Sequence, residues 1–221
     1  AIVTEPTEFE LVVAHKGFVW SEVEVRGKAA HGSRPHLGVD AIAKTGPILT
    51  ALDRLDERLD ERRDPLLGRA SVHASTIEGG EELSSYPARC TVGIERRTLP
   101  GETAATVAAE LESLLQACRA EDPKLQASQR TLLVREPFEI PTDHELVGLV
   151  RDAAATVLGT PPPIARAGYW TDAAFIAAAG IPTIVFGPSG EGAHAAEEWV
   201  SVSATDAVAE ILIEVAKRVC G

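Results

Sequence analysis

The stretch Phe186-Gly187-Pro188-Ser189-Gly190-Glu191-Gly192-Ala193-His194-Ala195-Ala196-Glu197-Glu198 sets one imidazole beside two carboxylates in a glycine-rich loop that follows an apolar run. Imidazole is a good zinc ligand, and open α/β sheets build their sites in loops at the carboxyl ends of strands. The pattern therefore points to a metal ligand at His194. A surface histidine among acidic residues is the plainer reading of the same letters. Cys90, Cys118 and Cys220 lie far apart with no C-x-x-C pair, so the thiols read as reduced and mostly buried, not as a zinc ribbon or a disulfide scaffold.

The elements that would position such a loop follow from periodicity and turn chemistry. Ile2-Val3 and Leu11-Val12-Val13-Ala14 flank Glu5-Pro6-Thr7 as strand, turn and strand, ended by Lys16-Gly17. Val19, Val23 and Val25 alternate with Glu22, Glu24 and Arg26, which predicts a half-buried strand. Val39, Ile42, Leu49, Leu52, Leu55 and Leu59 keep helical spacing, with Pro47 expected to kink or divide that helix near Gly46. Strands are expected over 70–77 and 90–96. A helix after Thr103 should turn Val107, Leu111, Leu114, Leu115 and Cys118 inward, and a last strand should run near 125–134. The order β-α-β-β-α-β over about 18–134 is the split βαβ pattern of a ferredoxin-like sandwich.

After Pro137 the texture becomes α/β. Thr142-x-x-Glu145 reads as a capping box opening a helix that Pro161-Pro162-Pro163 stops. Asp172 to Ala179 reads as a short helix, Thr183 to Phe186 as a buried strand, and Ser203-x-x-Asp206 as the cap of a final helix. The expected fold is thus a partial α/β domain, residues 1–17 and 135–221, interrupted by an α+β insert, residues 18–134.

With 45% hydrophobic residues the 221-residue chain can bury a core, and 21 basic against 33 acidic residues give a formal net charge of −12. That charge repels phosphate backbones and anionic lipid, which argues against nucleic-acid and membrane partners. The longest apolar stretch, 173–186, is broken by Gly180 and Pro182 and is too short to span a bilayer, and no basic-then-apolar leader opens the chain, so a cytoplasmic protein is expected. The absence of methionine and the strand-like opening Ala1-Ile2-Val3-Thr4-Glu5 suggest that further sequence lies upstream.

Several linked motifs carry a family resemblance. They are Glu5-Pro6-Thr7, His15-Lys16-Gly17, the run from Gly27 through His31 to Ala41, Arg96-Arg97-Thr98-Leu99-Pro100-Gly101-Glu102, Trp170-Thr171-Asp172-Ala173, Phe186-Gly187-Pro188, and Ala193-His194 to Glu198. Together they resemble the acetylornithine deacetylase, succinyl-diaminopimelate desuccinylase, aminoacylase and carboxypeptidase G family over essentially the whole chain. The resemblance implies an amidohydrolase acting on N-acyl amino acids or small peptides through two divalent metal ions, zinc first, cobalt or manganese as alternatives. It also implies a homodimer formed through the insert, which would be a lid and dimerisation domain.

Residue by residue, the resemblance makes Glu5 the carboxylate ligand of one ion and His194 the imidazole ligand of the other. His31 becomes the oxyanion donor that crosses a dimer interface into the partner's site. Arg97, in preference to Arg96, becomes the reader of a substrate carboxylate; a strand sends the two arginines to opposite faces, and one of them is expected to be merely solvated. Ser84 stands where family members carry a substrate-contacting asparagine, and its hydroxyl reaches less far. Gly187 and Ser189 would shape the loop around the substrate, with Glu198 and Asp172 supporting the ligands from behind or simply lying on the surface. His36, closer to a helix start, reads as structural or exposed, and His15, His73 and His144 read as ordinary surface or strand residues. The family's His-x-Asp motif, bridging aspartate and Glu-Glu pair are not in the sequence, so the segment alone is expected to be inactive. A non-catalytic dimerisation or regulatory module, or a metal-free α/β binding protein, are the alternatives.

Overall fold

The computed structural model describes residues 1–61 and 63–221. In chain order the elements begin with β1 (Ile2–Val3), β2 (Leu11–His15), β3 (Gly17–Arg26), α1 (Ala41–Leu59), β4 (Arg63–Asp64) and β5 (Gly68–Arg69). They continue with β6 (Ser71–Gly79), β7 (Arg89–Thr98), α2 (Ala104–Glu121), β8 (Gln126–Arg135), β9 (Phe138–Glu139) and α3 (Glu145–Leu158). The last are β10 (Ile164–Ala167), α4 (Ala173–Ala178), β11 (Ile184–Val185), β12 (Gly190–Glu191), β13 (Trp199–Val200) and α5 (Val202–Cys220). The chain divides into an inserted unit, Gly17–Arg135, and an outer unit made of Ala1–Lys16 with Glu136–Gly221.

In the inserted unit a four-stranded antiparallel sheet runs β6-β7-β3-β8, the strand order of a ferredoxin-like sandwich. Alternation decides its faces. Val19, Ser21, Val23 and Val25 of β3, with Cys90, Val92, Ile94, Arg96 and Thr98 of β7, are buried on one side, while their neighbours in sequence stay partly open on the other. The helices supply the cover. All five apolar positions expected of α2 are buried, with Thr103 capping its start by accepting the Thr106 N–H.

In α1 the buried face is instead Ala41, Thr45, Ile48, Leu52, Leu55 and Leu59, with Ile42 exposed. Pro47 neither divides nor ends the helix. It sits on the solvent side, Asp40 caps the start through the Ala43 N–H, and the residues on either side of Pro47 share one buried stripe.

In the outer unit β1, β11, β2 and β10 form the mixed α/β sheet, with β9 added to β2. β1 is parallel to β11 and β10 to β2, while β11 and β2 are antiparallel. Two helix starts differ from the capping signals in the sequence. Pro141 to His144 close a turn, so α3 begins after His144, whose ring Nδ1 accepts the Leu146 N–H at 3.1 Å in place of Thr142. Ser201, not Ser203, caps α5 by accepting the Ala204 N–H. α3 ends at Gly159, in the left-handed conformation with φ 78°, before the triple proline. Among the described residues no helix is long and apolar enough to cross a membrane.

Candidate functional site

Glu5 lies in the turn that joins β1 to β2, and the Phe186-Gly187-Pro188 segment leaves β11 beside it. Thr7 holds the two together. Its buried Oγ1 accepts the Gly187 N–H at 3.0 Å and donates to the Glu10 carbonyl at 2.7 Å. Phe9 N–H donates to the Gly187 carbonyl and Glu8 N–H to that of Pro188, with Glu8 and Phe9 both at positive φ. Only glycine fits at 187, because a β-carbon there would lie 2.1 Å from the Glu5 carbonyl oxygen. Gly187 is buried and its backbone groups are engaged by Thr7 and Phe9, so its contribution is to let the Glu5 turn pass this close.

His194 stands in the loop of the β12–β13 hairpin, exposed and at φ 62°, in a turn closed by the Ala195 N–H on the Gly192 carbonyl. The Glu8 carboxylate accepts the Gly190 N–H at 2.7 Å, which ties the base of this hairpin to the Glu5 turn. Two metal-type donors thus sit on neighbouring, mutually braced loops, both side chains open to solvent. Burial pushes the Tyr169 hydroxyl up, and the nearby Glu5 and Glu10 carboxylates add to the rise. Among the described residues no group of three or more His, Cys, Asp or Glu side chains could hold a metal ion. A carboxylate and an imidazole are both metal-type donors, and on these described residues alone they do not make up a ligand set.

Asp172 occupies the N-cap position of α4 without a side-chain capping bond, and Glu198 follows His194 in the hairpin; both are exposed. Among the described residues their carboxylates make no hydrogen bond, and Asp172 acts through its backbone carbonyl, which accepts the Phe175 N–H. The turn before α4 is instead anchored by His15. This ring is fully buried, its Nδ1 lying 3.0 Å from the Lys16 carbonyl and its Nε2 accepting the Thr171 N–H at 3.3 Å, with Phe138 and Trp170 packed against it. Burial lowers its pKa, so the ring is held neutral. His15 is not the ordinary strand residue its sequence suggested. The available signal was its place at the end of an otherwise wholly apolar strand.

In the inserted unit the turn carrying His31 pairs with the turn carrying Ser84. Gly32 N–H donates to the Ser84 carbonyl at 2.6 Å, and His31 and Ser85 form an isolated bridge. Glu82 holds the second turn by accepting the Ser84 N–H and the Ser85 hydroxyl. The His31 Nδ1 accepts the Ser33 N–H at 3.2 Å and lies 2.8 Å from the Ser33 hydroxyl. A backbone N–H can only donate, so in this arrangement Nδ1 is the acceptor and the ring proton sits on Nε2. A hollow of about 430 Å³ beside these turns is lined by Glu22, Glu78, Glu81 and Glu82 against one arginine, Arg89, so it is the wrong place for a substrate carboxylate.

Arg96 and Arg97 do point to opposite faces of β7, but neither is simply solvated. Arg96 is 1% exposed and held by Glu102 at 2.7 Å and Glu110 at 3.1 Å. Arg97 lies on the helix-free face, donates from Nε to Glu95 at 2.7 Å and stands 5.1 Å over the Phe18 ring. Arg97 pairs with Phe18 at the start of β3, whereas the turns of His31 and Ser84 follow and precede the Arg26–Arg89 pair at its far end. Eight strand steps of about 3.3 Å separate those pairs, so one copy holds Arg97 on the order of 25 Å from His31.

The sequence pattern of the peptidase dimerisation domain matches residues 13–122. An acetylornithine deacetylase of Myxococcus xanthus is 31% identical over 227 residues, covering all of this chain and 58% of that protein. One from Buchnera aphidicola is 27% identical, covering 99% of this chain and 57% of that protein. Among solved structures, an aminopeptidase of Bacillus cereus superposes with a TM-score of 0.80 at 21% identity, covering 99% of this chain and 56% of that one. A tripeptidase of Staphylococcus aureus gives 0.77 at 19% identity, covering 97% and 55%. These two likenesses establish the fold. The chain spans somewhat more than half the length of the curated relatives it matches.

Proposed function

The chain belongs to the family that the acetylornithine deacetylases represent, carrying its dimerisation domain at residues 13–122, and from that membership we propose that it is the lid and carboxyl-terminal portion of a metal-dependent amidohydrolase. The substrate is an N-acyl amino acid or small peptide, and the bond cleaved is its amide. Glu5 and His194 would each hold one of two divalent ions, zinc first among them. Zinc takes about four ligands, so the remaining donors come from the part of the relatives' length that this chain does not span. Bound ions would supply an activated water and a polarised carbonyl. Thr7, Gly187 and Glu8 brace the two ligand loops, and Arg97 receives the substrate carboxylate through its guanidinium fork.

The observation that carries this reading is the separation of His31 from Arg97 along β3. A single copy cannot bring both to one small substrate. Two copies can, with His31 and the adjoining Ser84 turn of one lid reaching the Arg97 side of the other, where the Nε2 proton stabilises the oxyanion. The sheet keeps β6 and β8 as edges through which two lids can join.

The test is turnover of N-acyl amino acids with added zinc or cobalt, by this chain and by one extended upstream to include the missing ligands. Activity is expected only in the extended protein. Full activity in the 221-residue chain contradicts the ligand assignment.

A further inference from the structure

The helix-free face of the inserted sheet carries an arrangement that carboxylate reading alone does not explain. Arg97 stands opposite Phe18 and Glu95 opposite Trp20, and the rings of Phe18 and Trp20 are 5.3 Å apart. Glu95 joins the two rows, taking the Trp20 indole N–H at 2.8 Å on one oxygen and the Arg97 Nε at 2.7 Å on the other. Burial pushes the Glu95 carboxyl up, but the bonds from Trp20 and Arg97 outweigh it and hold it ionised. One carboxylate therefore fixes both the indole plane and the guanidinium, and leaves the two terminal nitrogens of Arg97 for a ligand. Trp20 keeps 43% of its surface open on the same face, one strand pair along from Arg97.

We propose that Trp20 and Phe18 are the specificity-determining shelf of this site, and that the substrate is an N-acyl amino acid with a neutral apolar, preferably aromatic, side chain. The proposal rests on Arg97 reading the substrate carboxylate. With that group on the Arg97 terminal nitrogens, the neighbouring side chain falls on the indole face, where an aromatic ring gains contact and a short one gains none. A basic side chain is disfavoured. Arg97 repels it, and the other carboxylates of β3 on this face are already committed, Glu22 to Arg130 and Glu24 to Arg26 and Arg89. The acetylornithine specificity in the relatives' names therefore does not carry over to this chain.

The experiment titrates the 221-residue chain with N-acetyl-L-phenylalanine, N-acetyl-L-alanine, Nα-acetyl-L-ornithine and N-acetyl-L-phenylalanine amide, following the indole N–H resonance of Trp20. The phenylalanine derivative is expected to bind about tenfold tighter than the alanine one, the size of effect an apolar contact supplies. The ornithine derivative should bind no tighter than alanine, and the amide should lose binding. Trp20→Ala should bring phenylalanine down to the alanine level without moving alanine, and Arg97→Gln should abolish binding of all three acids. If Arg97→Gln weakens the acids but phenylalanine, alanine and ornithine bind alike, or ornithine binds tightest, the shelf is wrong and the arginine assignment stands. If Arg97→Gln changes nothing, or no ligand moves the Trp20 signal, both fall. The ligand series on the unaltered chain decides the matter even if a variant fails to fold.

Discussion

The two units solve the problem of burying a sheet differently. In the inserted unit, strands of nine or ten residues form a four-stranded sheet whose ladders shift register only at Trp20/Ser21 and Ala74/Thr76, and two helices of 18 and 19 residues close one face over a buried arginine. The outer unit works with strands of two to five residues. The inserted unit carries Arg97 within a long ladder and His31 on a turn beyond its far end, whereas Glu5 and His194 stand on loops between the short strands of the outer unit.

The largest effect should come from the inserted core. Arg96→Ala leaves Glu102 and Glu110 without their shared cation and is expected to cost about 3–5 kcal/mol in denaturant unfolding; a cost near zero would mean the ion pairs are not what closes that face. In the outer unit, Gly187→Ala forces a β-carbon against the Glu5 carbonyl and should cost about 1–3 kcal/mol, with Glu5 displaced. An unchanged unfolding midpoint would show that the two loops are not packed as described.

The pH response should separate the units further. His15 is neutral in the fold with a pKa below its ordinary value, so the unfolded chain binds the extra proton first as pH falls. The stability it contributes is present above about pH 6.5 and is lost as pH drops from there through the lowered folded value. His15→Gln should flatten that part of the unfolding profile, while the isolated inserted unit, residues 17–135, should not show it. Smallest of all, Arg97→Ala should change stability by roughly 0–1 kcal/mol, since its partly exposed pair with Glu95 is a surface bond. A loss as large as that of Arg96→Ala would make Arg97 structural.

Much of this was readable from the letters. The valine alternation of β3 and the face from Val107 to Cys118 gave the sandwich, because long elements repeat their period often enough to be unambiguous. Short-range signals did worse. Thr142 and Ser203 look like caps, yet the Pro141–His144 turn and the Ser201 bond start the helices elsewhere, since several polar residues compete for each end. Ile42 and Ile48 are equally apolar in sequence, and only packing against the sheet shows that Ile48 is inside. The burial of Arg96 and His15 depends on partners 6 to 156 residues away, which no local pattern reveals. The motifs named His31 and Arg97, but their separation needed the register of β3.

Subunit complementation tests that separation most directly. In the protein extended upstream, His31→Ala and Arg97→Gln should each abolish turnover, and equal mixtures re-associated from monomers should regain about a quarter of wild-type activity. Half of the dimers are then mixed, and each mixed dimer holds one intact site of two. If the mixture stays as inactive as either variant alone, His31 and Arg97 serve the same site from the same copy, and the shared-site account is wrong.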